Sequence, residues 1–316
     1  MVPRREWTGF KGIAAWKGLL PIWGLILFGS GLRAEPLSLP NASFESPATS
    51  FVNTHIDSWQ KTAKPSWYDE SGPFLWDQLT GIFKNTDPGR PDHIDNCDGN
   101  QAMWMFAIPE AGIFQDYDTM DWDDTVPQHD FNARFEIGRA YDLTVGLIGG
   151  GGNMLPGATV ELSLYYRDAD SNMVRVAFIT VTNSLASFSN TTHLVDFRVR
   201  VPPVKPTDAW AGQNIGIRLL STVTTNLQGG YWDVDNIRLS IRNAVLLSPS
   251  WSNGQFQFTL KSEPGLRFQI LTSGDAGLPR SSWISLGTVT NISGTVSFTD
   301  GAADSGRRYY QAQELP

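Results

Sequence analysis

Tyr141-Asp-Leu-Thr-Val-Gly-Leu147 and Val160-Glu-Leu-Ser-Leu-Tyr-Tyr166 decide the fold class. In the first, Tyr141, Leu143, Val145 and Leu147 alternate with Asp142, Thr144 and Gly146. In the second, Val160, Leu162, Leu164 and Tyr166 alternate with Glu161, Ser163, Tyr165 and Arg167. A period of two places successive side chains on opposite faces of a strand, so each run reads as a strand with one buried face. Asp168-Ala-Asp-Ser-Asn172 turns the chain, and Val174, Val176 and Phe178 return on a partner strand, which makes a hairpin.

Working outward, the same alternation recurs at 195–201, 215–220 and 237–241, with further strands expected at 101–106 and 112–117. No stretch sustains a period of 3.6. Short strands separated by Gly, Pro, Asn and Asp turns predict an all-β, antiparallel sandwich and not a βαβ sheet. After Ile241 the pattern restarts, with about five short strands between Gln255 and Gln313, and predicts a second, small all-β domain. The expected organisation is a leader over 1–34, a jelly-roll domain over 35–242, a linker over 243–250 and an accessory domain over 251–316.

The leader reading rests on Arg4, Arg5, Lys11 and Lys17, an apolar run from Leu19 to Phe28, and a small-residue cleavage site at Ala34. A membrane span needs about 20 apolar residues, and this run stops at Gly29, Ser30 and Arg33. The expectation is therefore an exported protein, secreted and extracellular or periplasmic, with attachment to the cell surface left open and no transmembrane segment in the mature chain. Removing residues 1–34 takes away five basic residues and one acidic residue, leaving 19 against 31, a net charge of −12. An acidic surface without a basic stripe has nothing with which to displace counterions from a phosphate backbone, so nucleic acid is excluded as a partner. The lone Cys97 leaves no internal disulfide.

Three stretches make the first domain resemble the galactose-binding-like jelly roll shared by many carbohydrate-binding modules. They are Asn41-Ala-Ser-Phe-Glu45; the middle from Asp98-Gly-Asn-Gln101 through Gly112-Ile-Phe-Gln115 to Gly138-Arg-Ala-Tyr141; and Gly230-Tyr-Trp-Asp-Val-Asp235-Asn-Ile-Arg-Leu239. The C-terminal stretch, with Gly265, Trp283 and Arg307-Arg-Tyr-Tyr-Gln-Ala312, resembles a small β domain common at the ends of exported proteins of environmental bacteria. The resemblance implies a structural calcium ion tying the first and last strands together, with Glu45 and Asp235 matching the family's ligands; carboxylates supply the charge Ca²⁺ prefers. The competing reading leaves Asp233 and Asp235 at a surface strand end.

The resemblance also implies a polysaccharide or glycan partner and no catalysis. Sugar binding uses exposed aromatic faces with polar neighbours, and one Trp face of roughly 100 Å² contributes at most about 2.5 kcal/mol, so several are needed. Trp67, Tyr68 and Trp76 in a polar, Pro-rich context, and Trp122 in an acidic run, are the expected platforms; Trp59, Trp104, Trp210 and Trp232 are expected in the core. The run Asp116, Asp118, Asp121, Asp123 and Asp124 reads first as a solvated loop, with a second cation site or a sugar-contacting loop as alternatives, and Gly149 to Gly152 as a flexible strand connection. His55, His93, His129 and His193 fall in no metal-binding or catalytic spacing, and no nucleophile elbow is present. The expected function is thus a non-enzymatic carbohydrate-binding protein. A structural or adhesive surface protein is the first alternative and a glycan-active enzyme the second.

Overall fold

The computed structural model describes residues 35–120, 125–242, 244–253, 255–303 and 308–315, so the leader over 1–34 and Trp122 lie outside the described residues. The jelly-roll part is built from β1 (Glu35–Leu37), β2 (Val52–Asn53), β3 (Gln60–Lys61), β4 (Thr80–Lys84), β5 (Gln101–Phe106), β6 (Gly112–Gln115), β7 (Ala140–Gly151), β8 (Thr159–Arg167), β9 (Met173–Thr182), β10 (Val195–Val201), β11 (Gly216–Ser221) and β12 (Tyr231–Arg242). A seven-stranded sheet runs β10-β7-β12-β5-β4-β2, with β1 also on β12, and faces a five-stranded sheet, β3-β6-β11-β8-β9. The result is a jelly-roll-like, antiparallel β-sandwich, as the alternation predicts.

The inward phase of each strand fills the space between the sheets. Leu143, Val145 and Leu147 of β7 meet Leu162 and Leu164 of β8, Ile217 and Leu219 of β11, and Trp232 and Val234 of β12, all fully buried. Burial of this kind contributes about 1.5–3 kcal/mol per large side chain. Asp168 Oδ1 accepts hydrogen bonds from the Asp170 and Asn172 amides at 3.0 and 2.8 Å, closing the β8–β9 hairpin.

The outward phase of the seven-stranded sheet is not simply wet. Ala102 and Ile148 project from it and are buried with Ile94 and Leu194, which lie in the loops over 85–100 and 183–194. These loops lie against one part of the outer face and leave another part hollow. Gly149 to Gly151 correct the expected flexible connection: they are the last residues of β7, paired with β12 through Gly151 and Tyr231. Asp116 likewise departs from the solvated-loop reading. It is buried, accepting from the Tyr165 hydroxyl at 2.5 Å and from Arg167 Nε at 2.8 Å.

Beyond β12, β13 (Val245–Ser252), β14 (Gln255–Lys261), β15 (Arg267–Ser273), β16 (Ile284–Thr290), β17 (Thr295–Asp300) and β18 (Tyr309–Leu315) form two three-stranded sheets, β13-β14-β17 and β16-β15-β18. Phe258, Leu260, Phe268 and Ile270 make their own core. The stretch 243–250, expected as a linker, supplies most of β13. Among the described residues no helix is long and apolar enough to cross a membrane.

Candidate active site

The hollow on the outer face is a cavity of about 860 Å³. Two rows of paired residues form its floor. Gly81 of β4 pairs with Trp104 of β5, Trp104 with Asp233 of β12, and Asp233 with Ile148 of β7. In the next row Phe106 pairs with Tyr231, and Tyr231 with Gly151. Since alternate residues share a face, Trp104, Phe106, Tyr231 and Asp233 all project into the cavity, while Met103, Met105, Trp232 and Val234 project into the core. Phe51, Phe74 and Phe83 add three more rings, and Thr191 and Thr192 close one side.

Asp233 is the acid on this floor. It keeps part of its surface open to the cavity, but apolar neighbours strip water from the carboxyl and push it up to about 7, with desolvation as the sole cause. No cation or hydrogen-bond donor among the described residues draws it back. Tyr231 is raised too, by burial first and by the charge of Asp233 second. The other titratable residues on the cavity wall, Lys84 and Asp92, are exposed. The arrangement can deliver a proton to a bound molecule near neutral pH, inside a ring of aromatic faces.

Asp235, two residues along the same face of β12, has a different part. It is fully buried, and its Oδ2 accepts from the Asp98 amide at 2.6 Å. Burial pushes it up to about 7, against hydrogen bonds from the Asp98 and Asn236 amides and the Cys97 thiol. Glu45 reaches the same turn from the other side, accepting through Oε1 from the Asn100 and Gln101 amides at 2.8 and 2.7 Å. Gly99, at φ +102°, lies against that carboxylate, where a Cβ would fall 2.5 Å from Oε1. The structure thus brings the two residues expected as calcium ligands to one turn, as anchors for backbone amides. Among the described residues no group of three or more His, Cys, Asp and Glu is arranged to hold a metal ion.

The expected sugar platforms Trp67, Tyr68 and Trp76 pack together as one aromatic cluster. Trp76 is buried at 7% exposure, its indole donating to the Thr62 carbonyl at 2.7 Å, and packs edge-on against Tyr68 at 4.9 Å. Trp67 is exposed and donates to Glu110 Oε1 at 3.1 Å, with its ring 6.4 Å from Trp76. None of the three lines the cavity. Trp104, expected in the core, is on the cavity floor instead, while Trp59 and Trp232 are buried as expected.

A family model described as HpiC1-like, HpiC1 cyclase, matches residues 35–240. The chain belongs to the HpiC1-like cyclase family. That span contains β1 to β11, most of β12, and the whole cavity floor. Membership overturns the expectation of a non-enzymatic carbohydrate-binding protein, because the family is one of enzymes that close rings. Among solved structures, the cyclase Fisc from Fischerella sp. TAU in complex with (3Z)-3-(1-methyl-2-pyrrolidinylidene)-3H-indole is 20% identical, with a TM-score of 0.45 over 66% of this chain and 98% of that one. The CBM22-1 xylan-binding domain of Xyn10C from Paenibacillus barcinonensis is 9% identical, with a TM-score of 0.32 over 58% of this chain and 86% of that one. No curated protein matches the chain.

Proposed function

We propose that this cyclase closes a ring in an apolar, unsaturated small molecule, with Asp233 as the acid that starts the reaction. One observation carries the reading: a carboxyl held up to about 7 by burial stands on the floor of an aromatic cavity. A proton passes from Asp233 to a carbon–carbon π bond of the substrate, leaving a carbocation. A second π bond of the same molecule attacks that cation, forming the new ring bond and moving the positive charge. Loss of a proton from the adjacent carbon to the Asp233 carboxylate restores the double bond and the acid. The product is an isomer of the substrate, so no oxidant or reductant is consumed.

The surrounding rings suit this course. Phe74 and Phe106 lie 4.9 Å apart and Phe106 and Tyr231 6.1 Å apart, so several π faces border one volume. Each such face stabilises a desolvated cation by up to about 2 kcal/mol.

The test is a panel of alkenyl-substituted aromatic compounds incubated with the protein in D₂O, followed by mass spectrometry. A cyclised isomer carrying deuterium at the protonated carbon is expected. Asp233→Asn, which keeps the shape and removes the acid, is expected to lower kcat by about 10²–10⁴-fold. Undiminished turnover in that variant would remove Asp233 from the mechanism.

A further inference from the structure

Two of the rings that flank Asp233 lie down on neighbouring strands, and in each case the neighbour is a glycine. Trp104 leans from β5 onto β4, where a Cβ at Gly81 would overlap Cη2 and Cζ2 of the indole and fall 2.6 Å from the Asn53 carbonyl oxygen. Its indole N–H donates to the Gln78 carbonyl at 3.2 Å, which fixes the ring in that seat. Tyr231 leans from β12 onto β7, where a Cβ at Gly151 would fall 2.6 Å from Cδ2 of the phenol ring. Real Cβ atoms do not approach aromatic carbons so closely. The rings therefore tilt away from Asp233 in opposite directions, Trp104 toward β4 and Tyr231 toward β7, and a slot stays open above the acid.

Glycine weakens a strand interior relative to alanine, and it commonly marks a close approach of another group. Here the approaching group in both seats is an aromatic wall of the cavity. Gly81 and Gly151 sit on opposite flanks of the same floor, one on each side of the β5–β12 pair that carries Trp104 and Asp233.

We propose that Gly81 and Gly151 are specificity-determining residues: by seating the rings of Trp104 and Tyr231 they set the width of the slot over Asp233 and so the breadth of the planar, apolar ligand it accepts. A methyl group at either position lifts its ring into the slot. The substrate class rests on the cyclase reading, but the width of the slot is tested by binding alone. It therefore stands or falls independently of whether Asp233 is the acid.

The experiment is a pair of mutant cycles, Gly151→Ala with Tyr231→Ala and Gly81→Ala with Trp104→Ala, read with two neutral probes. The narrow probe is indole and the broad one is N-phenyl-1-naphthylamine. Each glycine variant is expected to weaken the broad probe at least tenfold and indole less than twofold. Adding the ring deletion to the glycine variant should recover most of the broad-probe affinity lost, since the methyl then has no ring to lift and meets only a backbone carbonyl oxygen, that of Asn53 or of residue 231. Equal loss for both probes, or a double variant no better than the glycine variant, overturns the proposal. If the glycine variants fail to fold, Tyr231→Ala and Trp104→Ala decide it. Their preference for the broad over the narrow probe must rise at least fivefold, and an unchanged preference overturns the assignment.

Discussion

Asp233 and Asp235 show how two carboxyls on one face of one strand acquire different work. Both are pushed up to about 7 by burial, but only Asp233 meets the cavity, while Asp235 is sealed behind the 97–101 turn. The sign of the stability effect follows from the direction of the shift. An unfolded Asp loses its proton near 3.9, so between about pH 4 and pH 7 the folded protein retains protons that the unfolded chain releases. Stability therefore falls as pH rises through that window. The melting temperature is expected to drop between pH 5 and pH 8, and Asp235→Asn should flatten the drop while preserving the fold. An Asp235→Asn protein whose melting retains the full pH dependence would refute this origin. Turnover should fall over the same range for a separate reason, because only the protonated form of Asp233 can give up a proton. The Cys97 thiol beside them is raised by burial, then by the charges of Asp235, Glu45 and Asp98, so it is not a reactive nucleophile.

At the scale of elements, the cavity exists because two loops are pinned across the outer face of the large sheet. Asn85 exchanges two hydrogen bonds with Ile94, at 2.9 and 3.0 Å. Asn96 exchanges two with Leu194, at 3.0 and 2.8 Å, and the Asp95 amide donates to the Thr192 carbonyl at 3.0 Å. Asn96→Ala leaves the Leu194 amide and carbonyl unmatched, a loss of about 1–3 kcal/mol. Amide exchange is expected to quicken at 192–195 and binding of N-phenyl-1-naphthylamine to weaken, with the inter-sheet core unaffected. Unchanged exchange at 192–195 would count against the pin. These loops also explain what the sequence hid. Alternation shows that Met103 and Trp104 face opposite ways, but both faces of β5 are covered, one by the other sheet and one in part by the loop that precedes it and the distant loop over 183–194. Trp104 thus reads as a core residue and Asp233 as a strand-end acid. The strands themselves were legible wherever one face was plainly apolar, as in β8 and β10, and β10 has the bounds that its alternation gives. The glycines of β7 were opaque because a seat for a distant ring and a flexible joint use the same residue.

At the scale of the whole molecule, β12 joins the chemistry to the C-terminal sheets. Asp233 and Arg242 stand at opposite ends of this one strand, roughly 30 Å apart at about 3.3 Å per residue. Arg242 grips Glu314 of β18 with two hydrogen bonds, at 3.2 and 3.0 Å, and reaches Asp142 of β7 at 3.3 Å. Arg198 and Arg200 of β10 both bind Glu263 beyond β14, at 3.2 and 2.7 Å. Asp142 and Glu314 are raised by desolvation, which the surrounding arginines oppose, so the two acids depend on those cations to stay ionised. Surface pairs such as those of Glu263 contribute little, about 0–1 kcal/mol, whereas removing one partner from a buried pair costs about 3–5 kcal/mol because a charge is left behind without compensation. The C-terminal sheets have their own core, but it is small, with Phe258, Leu260, Phe268 and Ile270 as its fully enclosed members. A small core gains the most from a firm contact with a larger neighbour. Arg242→Ala is therefore expected to detach the melting of 244–315 from that of the jelly roll, giving a lower, separate transition in calorimetry. The cavity, at the far end of β12, should keep its affinity for N-phenyl-1-naphthylamine. A single transition within about 1 °C of the unmodified protein would show that the grip of Arg242 does not hold the two parts together.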